Sequence, residues 1–143
     1  MLHFITTLAD PLIEYLKDDP VRPEIPKEFR VSETSEILAI VENGRPKAIV
    51  CVAYRDFVPQ NCDELMTLPN NPKIAVFYTI WSYDAGAGRD LITRARKELS
   101  NRKPQISKYV TLSPQTEMAR RFHLKNGATI FRENSNSVNY EYA

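Results

Sequence analysis

Only four glycines serve a chain of 143 residues, and two of them, Gly86 and Gly88, stand one residue apart between a β-rich run and an amphipathic stretch. A chain so sparing with glycine places each one where a side chain would clash or the backbone must turn left-handed. Upstream, Ile74 to Tyr83 is dense in β-branched and aromatic residues and predicts a central strand. Downstream, Leu91, Ile92, Ala95 and Leu99 fall on one face of a helix over Arg89 to Leu99. A strand, glycine turn and helix in that order let backbone N–H groups approach an anion, and the helix N-terminus adds partial positive charge. A pyrophosphate fits that description. No Lys-Ser or Lys-Thr follows the second glycine, so a P-loop is excluded. The dinucleotide fingerprint is weak, since it needs a third small residue at a set position and a parallel βαβ unit. Taken alone, Gly-x-Gly is equally compatible with a plain tight turn.

The rest of the chain supplies a mixed set of elements. Leu2 to Leu8 suits a short strand; Asp10 then N-caps a helix that begins at Pro11 and stops before Pro20. Pro20, Pro23 and Pro26 mark a loop suited to lie over a site. Glu36 to Glu42 and Lys47 to Tyr54 read as two strands of a hairpin turned at Asn43-Gly44. An irregular connection over 59–73 holds a helical turn at Asp63 to Met66. Tyr109 to Leu112 is a strand, and Ser113-Pro114 opens a helix through Lys125 with Met118, Ala119 and Phe122 turned inward. Gly127 fits the left-handed position that ends it, and Thr129 to Phe131 and Val138 to Tyr142 close the chain as strands.

A chain of this length makes one domain, residues 1–143, with core enough to fold without disulfide or metal. No apolar run is long enough to cross a bilayer, and no signal-like N-terminus precedes the first elements, so a cytoplasmic protein is expected. Cys51, mid-strand, and Cys62, in the irregular connection, are expected as free thiols. The two cysteines and two histidines have no ligand-like spacing, so no metal is expected. Residues 1–72 carry 12 acidic and 7 basic side chains, whereas residues 73–143 carry 6 and 12. The basic half suits a polyanion or phosphorylated cofactor, or is the solvated face of a helix. As a nucleic-acid surface it ranks last, because it lacks interleaved exposed aromatics and any recognised module.

The run Gly86-Ala87-Gly88-Arg89-Asp90-Leu91-Ile92 resembles the acetyl-CoA-binding signature of the GNAT (GCN5-related) N-acetyltransferase superfamily, Arg/Gln-x-x-Gly-x-Gly/Ala opening a helix. Leu112 to Ala128 is similar to that superfamily's second conserved segment, a strand leading into a helix with Ala119 inside it and Gly127 at its end. The resemblance covers about residues 36–142. It implies an α/β (α+β) GNAT-like acyl-CoA N-acyltransferase fold, a central mixed antiparallel and parallel sheet flanked by helices. It also implies acetyl-CoA as cosubstrate and direct attack on the thioester by a primary amine of a small molecule or peptide. On that pattern Asp84, Ala85, Gly86, Ala87, Gly88 and Arg89 hold the pyrophosphate, Arg94 assists with phosphates, and Tyr78, Ile80 and Trp81 edge the pantetheine arm. A homodimer is compatible with the pattern; a membrane partner is not expected.

Three positions depart from it. Tyr83 stands where Arg or Gln is usual, Ala128 where Phe is usual, and His123 where many members carry an aromatic hydroxyl as general acid. The candidate catalytic residues are therefore His123, as proton donor to the leaving thiolate, with Tyr109 and Tyr78 as spare hydroxyls. A packed helix histidine is the plain alternative for His123. The corresponding alternative for the whole chain is a catalytically inactive GNAT-like domain, of cellular or viral origin, serving as a binding or structural protein.

Overall fold

Asn43 and Gly44 both adopt positive φ, 53° and 76°, and turn the chain tightly between two strands, β2 (Ser35–Glu42) and β3 (Arg45–Arg55). The computed structural model describes residues 1–143. Ahead of the hairpin come β1 (Leu2–Ile5), a 3-10 helix (Pro11–Asp18) and the one-turn α1 (Lys27–Arg30). After it come α2 (Cys62–Leu65), β4 (Ile74–Ser82), α3 (Ala87–Arg102), β5 (Lys108–Thr111), α4 (Glu117–Lys125), β6 (Thr129–Glu133) and β7 (Val138–Tyr142). One seven-stranded sheet results, in the order β1-β2-β3-β4-β5-β7-β6. Its pairs are antiparallel except β4 and β5, which run parallel across the α3 crossover. This is the mixed sheet flanked by helices that the sequence implied.

Period-two alternation along the central strands sends side chains to two separate cores. Leu38, Val50, Val52 and Phe77 pack under Leu91, Ile92, Ala95 and Leu99 of α3. Ile37, Ile49, Cys51 and Val76 face the other way, onto Leu12 and Leu16 of the 3-10 helix and Leu65 of α2. Both cysteines are free; burial pushes the Cys51 thiol up to about 11. No helix is long and apolar enough to cross a membrane.

Three elements differ from expectation. Asp10 caps the N–H of Leu12 as anticipated, but the segment after it winds as a 3-10 helix. The short α1, directly after Pro26, has no periodic apolar face to announce it. Helix α4 begins at Glu117 rather than at Ser113-Pro114, because the Thr116 hydroxyl caps the N–H of Ala119. Ser113 stays extended and pairs with Val138 instead. Phe122 packs against the core as expected, but Met118 is 82 % exposed, and His123 is the side chain that α4 buries.

Candidate active site

Strands β4 and β5 pair from Ile74/Lys108 to Phe77/Thr111, and the N–H of Leu112 donates to Phe77 O at 3.2 Å just beyond. Past that point the strands part, for two local reasons. The register between β3 and β4 steps from Val52↔Phe77 to Cys51↔Thr79, leaving Tyr78 as an extra residue whose bulge bends β4. On the β5 side, Ser113 and Val138 exchange backbone hydrogen bonds of 2.9 Å each, drawing the chain toward β7. Between them opens a cavity of about 350 Å³, at the lower end of the usual range for ligand pockets. Its walls are Tyr78 to Ser82, Leu112 to Pro114, the inner face of α4, Gly88 and, at one end, Pro20 and Val21.

The glycine turn stands at the rim. Gly86 caps α3 with φ 80°, a left-handed conformation that a Cβ would strain. Gly88 is crowded for a different reason: a Cβ there would lie 3.3 Å from Cε1 of Phe122, so the ring would have to give way by a few tenths of an ångström. In the first turn of α3, Ala87 N–H bonds Asp84 O and Asp90 N–H bonds Gly86 O, while the N–H groups of Gly88 and Arg89 have no protein acceptor. Lys47 pairs with Asp84 at 3.0 Å and tethers the turn to the β2–β3 hairpin. Arg89 is exposed beside it. Arg94 points elsewhere, pairing with Asp90 at 3.5 Å and lining a shallow surface pocket with Met1, Leu2 and Phe4.

His123 lines the cavity while being only 4 % exposed. Its ring is stacked on Tyr140 at 4.9 Å and edged by Phe122, and Nδ1 lies 2.7 Å from the Tyr142 hydroxyl. Nε2 has no partner in the protein. Burial alone pulls the imidazole down to about 4, with no acid nearby to oppose it. At neutral pH the ring is therefore uncharged, which argues against proton donation by an imidazolium to a leaving thiolate. A neutral imidazole can still donate a hydrogen bond from Nε2 when the Tyr142 hydroxyl donates to Nδ1.

The other two hydroxyl candidates lie apart from the cavity. Tyr78 lends its backbone to the wall, but its ring is 1 % exposed in the opposite core, edge-on to Phe29. Burial raises its hydroxyl well above the ordinary tyrosine range. Tyr109 stacks with Phe77 in the core beneath α3, with the Arg96 guanidinium 4.1 Å from its ring centre. Ile80 and Trp81 do line the cavity; the indole N–H donates to the Tyr83 hydroxyl, which donates to Asp18.

Sequence reasoning missed the group that fixes the end wall. Asp19, wholly buried, accepts from the N–H groups of Val21 and Arg22, from Thr79 of β4 and from Arg30 at 2.8 Å. Burial pushes its carboxyl up, but these donors outweigh burial and hold it below its usual value. An aspartate before a proline in a loop reads as an ordinary turn residue, and nothing in the sequence joined it to Arg30 or Thr79.

No protein-family model matches the chain, and no curated protein matches it. Solved structures do. A malonyl-CoA decarboxylase from Cupriavidus metallidurans superposes with a TM-score of 0.76 at 19 % identity, over 100 % of this chain and 60 % of that one. Tetrahymena GCN5 superposes with a TM-score of 0.67 at 15 % identity, over 99 % of this chain and 94 % of that one. A GNAT family acetyltransferase from Elizabethkingia anophelis, with acetyl-CoA bound, gives 0.65 at 11 % identity over 99 % and 96 %. The chain has the GNAT fold, and spans about three fifths of the Cupriavidus decarboxylase.

Proposed function

We propose that this GNAT-fold chain is a CoA-thioester enzyme whose cleft between β4 and β5 takes the pantetheine arm and acyl group. The free amides at the start of α3 and Arg89 would meet the phosphates. The observation that carries the reading is His123: a buried, neutral imidazole on the cavity wall, with Nδ1 occupied by Tyr142 and Nε2 without a protein partner. Set so, Nε2–H serves as an oxyanion donor to the thioester oxygen.

The reaction that best suits this site is loss of CO2 from a malonyl-type thioester. The C–C bond to the carboxylate breaks, its electron pair moves onto the thioester as an enolate, and a proton from solvent ends on the α-carbon. His123 stabilises the oxygen that becomes negative and stays neutral itself. No base is required, and the cavity contains no carboxylate. Its largely apolar wall disfavours a free carboxylate and favours neutral CO2. The superposition of this chain on 60 % of a malonyl-CoA decarboxylase supports the same reading.

Acetyl transfer from acetyl-CoA to a primary amine is the second reading, supported by the fold's likeness to acetyltransferases. It asks more of these residues, because an alkylammonium must lose a proton before attack and His123 near 4 is a weak base. Product analysis by mass spectrometry separates the two. Malonyl-CoA should yield acetyl-CoA and CO2, while acetyl-CoA with a panel of primary amines should yield no amide. Amide formation without decarboxylation would overturn the first reading for the second, and absence of both products would leave a non-catalytic binding domain.

A further inference from the structure

At the closed end of the cleft, one side chain spans the gap that the bulge opens. Arg22 donates from Nε to Tyr78 O on β4 at 3.0 Å and from Nη2 to Leu112 O beyond β5 at 2.8 Å. Its Nη1 donates to Cys62 Sγ at 3.2 Å. The two carbonyls belong to the residues where β4 and β5 cease to pair, so the guanidinium bridges the strands at their point of divergence. The neighbouring Pro20 and Val21 line the cavity, which places Arg22 directly behind its end wall. Asp19 holds this loop from within: it accepts from the Arg22 N–H and is itself tied to Thr79 and Arg30. Arg30 in turn donates to Arg22 O at 2.7 Å. The arrangement is a fixed stop rather than a mobile cover.

Resting on the CoA-thioester reading, we infer that Arg22 is a specificity-determining residue that ends the acyl channel and restricts the site to short acyl groups. Two effects act together. The guanidinium spans the gap between the strands at Tyr78 and Leu112, where a longer acyl chain would have to pass. It is also charged, and all three of its acceptors are neutral, so apolar methylenes pressed against it would strip water from an ion and gain little. Beyond it lies the Cys62 thiol, toward which truncation at Arg22 would open a passage.

The test is competitive binding of acetyl-, butyryl- and hexanoyl-CoA, with CoA itself as reference, to wild type and to Arg22→Ala. In wild type, hexanoyl-CoA should bind at least tenfold more weakly than acetyl-CoA. In Arg22→Ala that ratio should shrink to within threefold, with affinity for CoA unchanged within threefold. A wild type that binds all three acyl lengths equally overturns the inference even if the variant does not fold. A folded variant that keeps the wild-type ratio overturns it too. If wild type binds CoA in neither form, the CoA-thioester reading falls first, and the inference with it.

Discussion

Asp19→Ala should destabilise the protein by about 3–5 kcal/mol, the usual cost of removing one partner from a buried ion pair. Arg30 is 1 % exposed, and its Nη1 has only the Asp19 carboxylate and, at 3.5 Å, the Cys51 thiol as acceptors. The same truncation leaves the N–H groups of Val21 and Arg22 and the Thr79 hydroxyl without their acceptor. Urea unfolding followed by circular dichroism gives the difference directly. Asp19→Asn, which keeps an acceptor oxygen, should cost less than Asp19→Ala. A change below 1 kcal/mol in the alanine variant would mean that the 19–30 segment is not anchored through this carboxylate.

The second large effect is at His123. Its replacement by alanine should lower turnover by ~10²–10³-fold, the range found on removing one oxyanion donor. Thioester affinity should change by less than about threefold, since the phosphate end is untouched. His123→Gln, which retains an N–H, should recover part of the loss. The pH dependence separates this role from that of a charged acid. A ring held down to about 4 stays neutral throughout the physiological range, so the rate should show no inflection near the ordinary histidine value. An inflection near 6.5 that disappears in His123→Gln would point to imidazolium chemistry instead. Stability carries the same signature. Between about 6.5 and about 4 the unfolded chain takes up a proton at His123 that the folded chain refuses. Stability should therefore fall as pH drops through that window, by about 3 kcal/mol in all, and His123→Phe should remove that component.

The fold was legible where one physical signal dominated. Asn43-Gly44 announced the hairpin, Ile74 to Tyr83 the central strand observed over Ile74–Ser82, and the Leu91, Ile92, Ala95 and Leu99 stripe the helix that covers it. The existence of α4 is legible but its start is not: Ser113-Pro114 looks like the opening of the helix, whereas the cap is Thr116, three residues on. Met118, expected to turn inward, is 82 % exposed, whereas the packed-histidine reading of His123 matches its burial. The strand, glycine turn and helix at the cleft's rim were legible because that geometry is local to a few consecutive residues. Asp19, Arg22, Arg30 and Thr79 meet only after a 3-10 helix, α1 and the β4 bulge are all in place. Contacts separated by as many as 60 residues, as between Asp19 and Thr79, leave no periodic trace in the chain. Gly88 carries a further constraint that only the packing reveals: a Cβ there would crowd the Phe122 ring.

That glycine supplies the most direct measurement of whether the cleft takes a CoA thioester. Titration calorimetry with acetyl-CoA should show saturable binding of one equivalent to wild type. In Gly88→Val, the added side chain would press the Phe122 ring toward the cavity that both residues line. Affinity should then fall more than tenfold, a loss of more than about 1.4 kcal/mol, while circular dichroism stays that of the wild type. No heat of binding in wild type, or equal affinity in a folded Gly88→Val, would contradict a CoA site between β4 and β5.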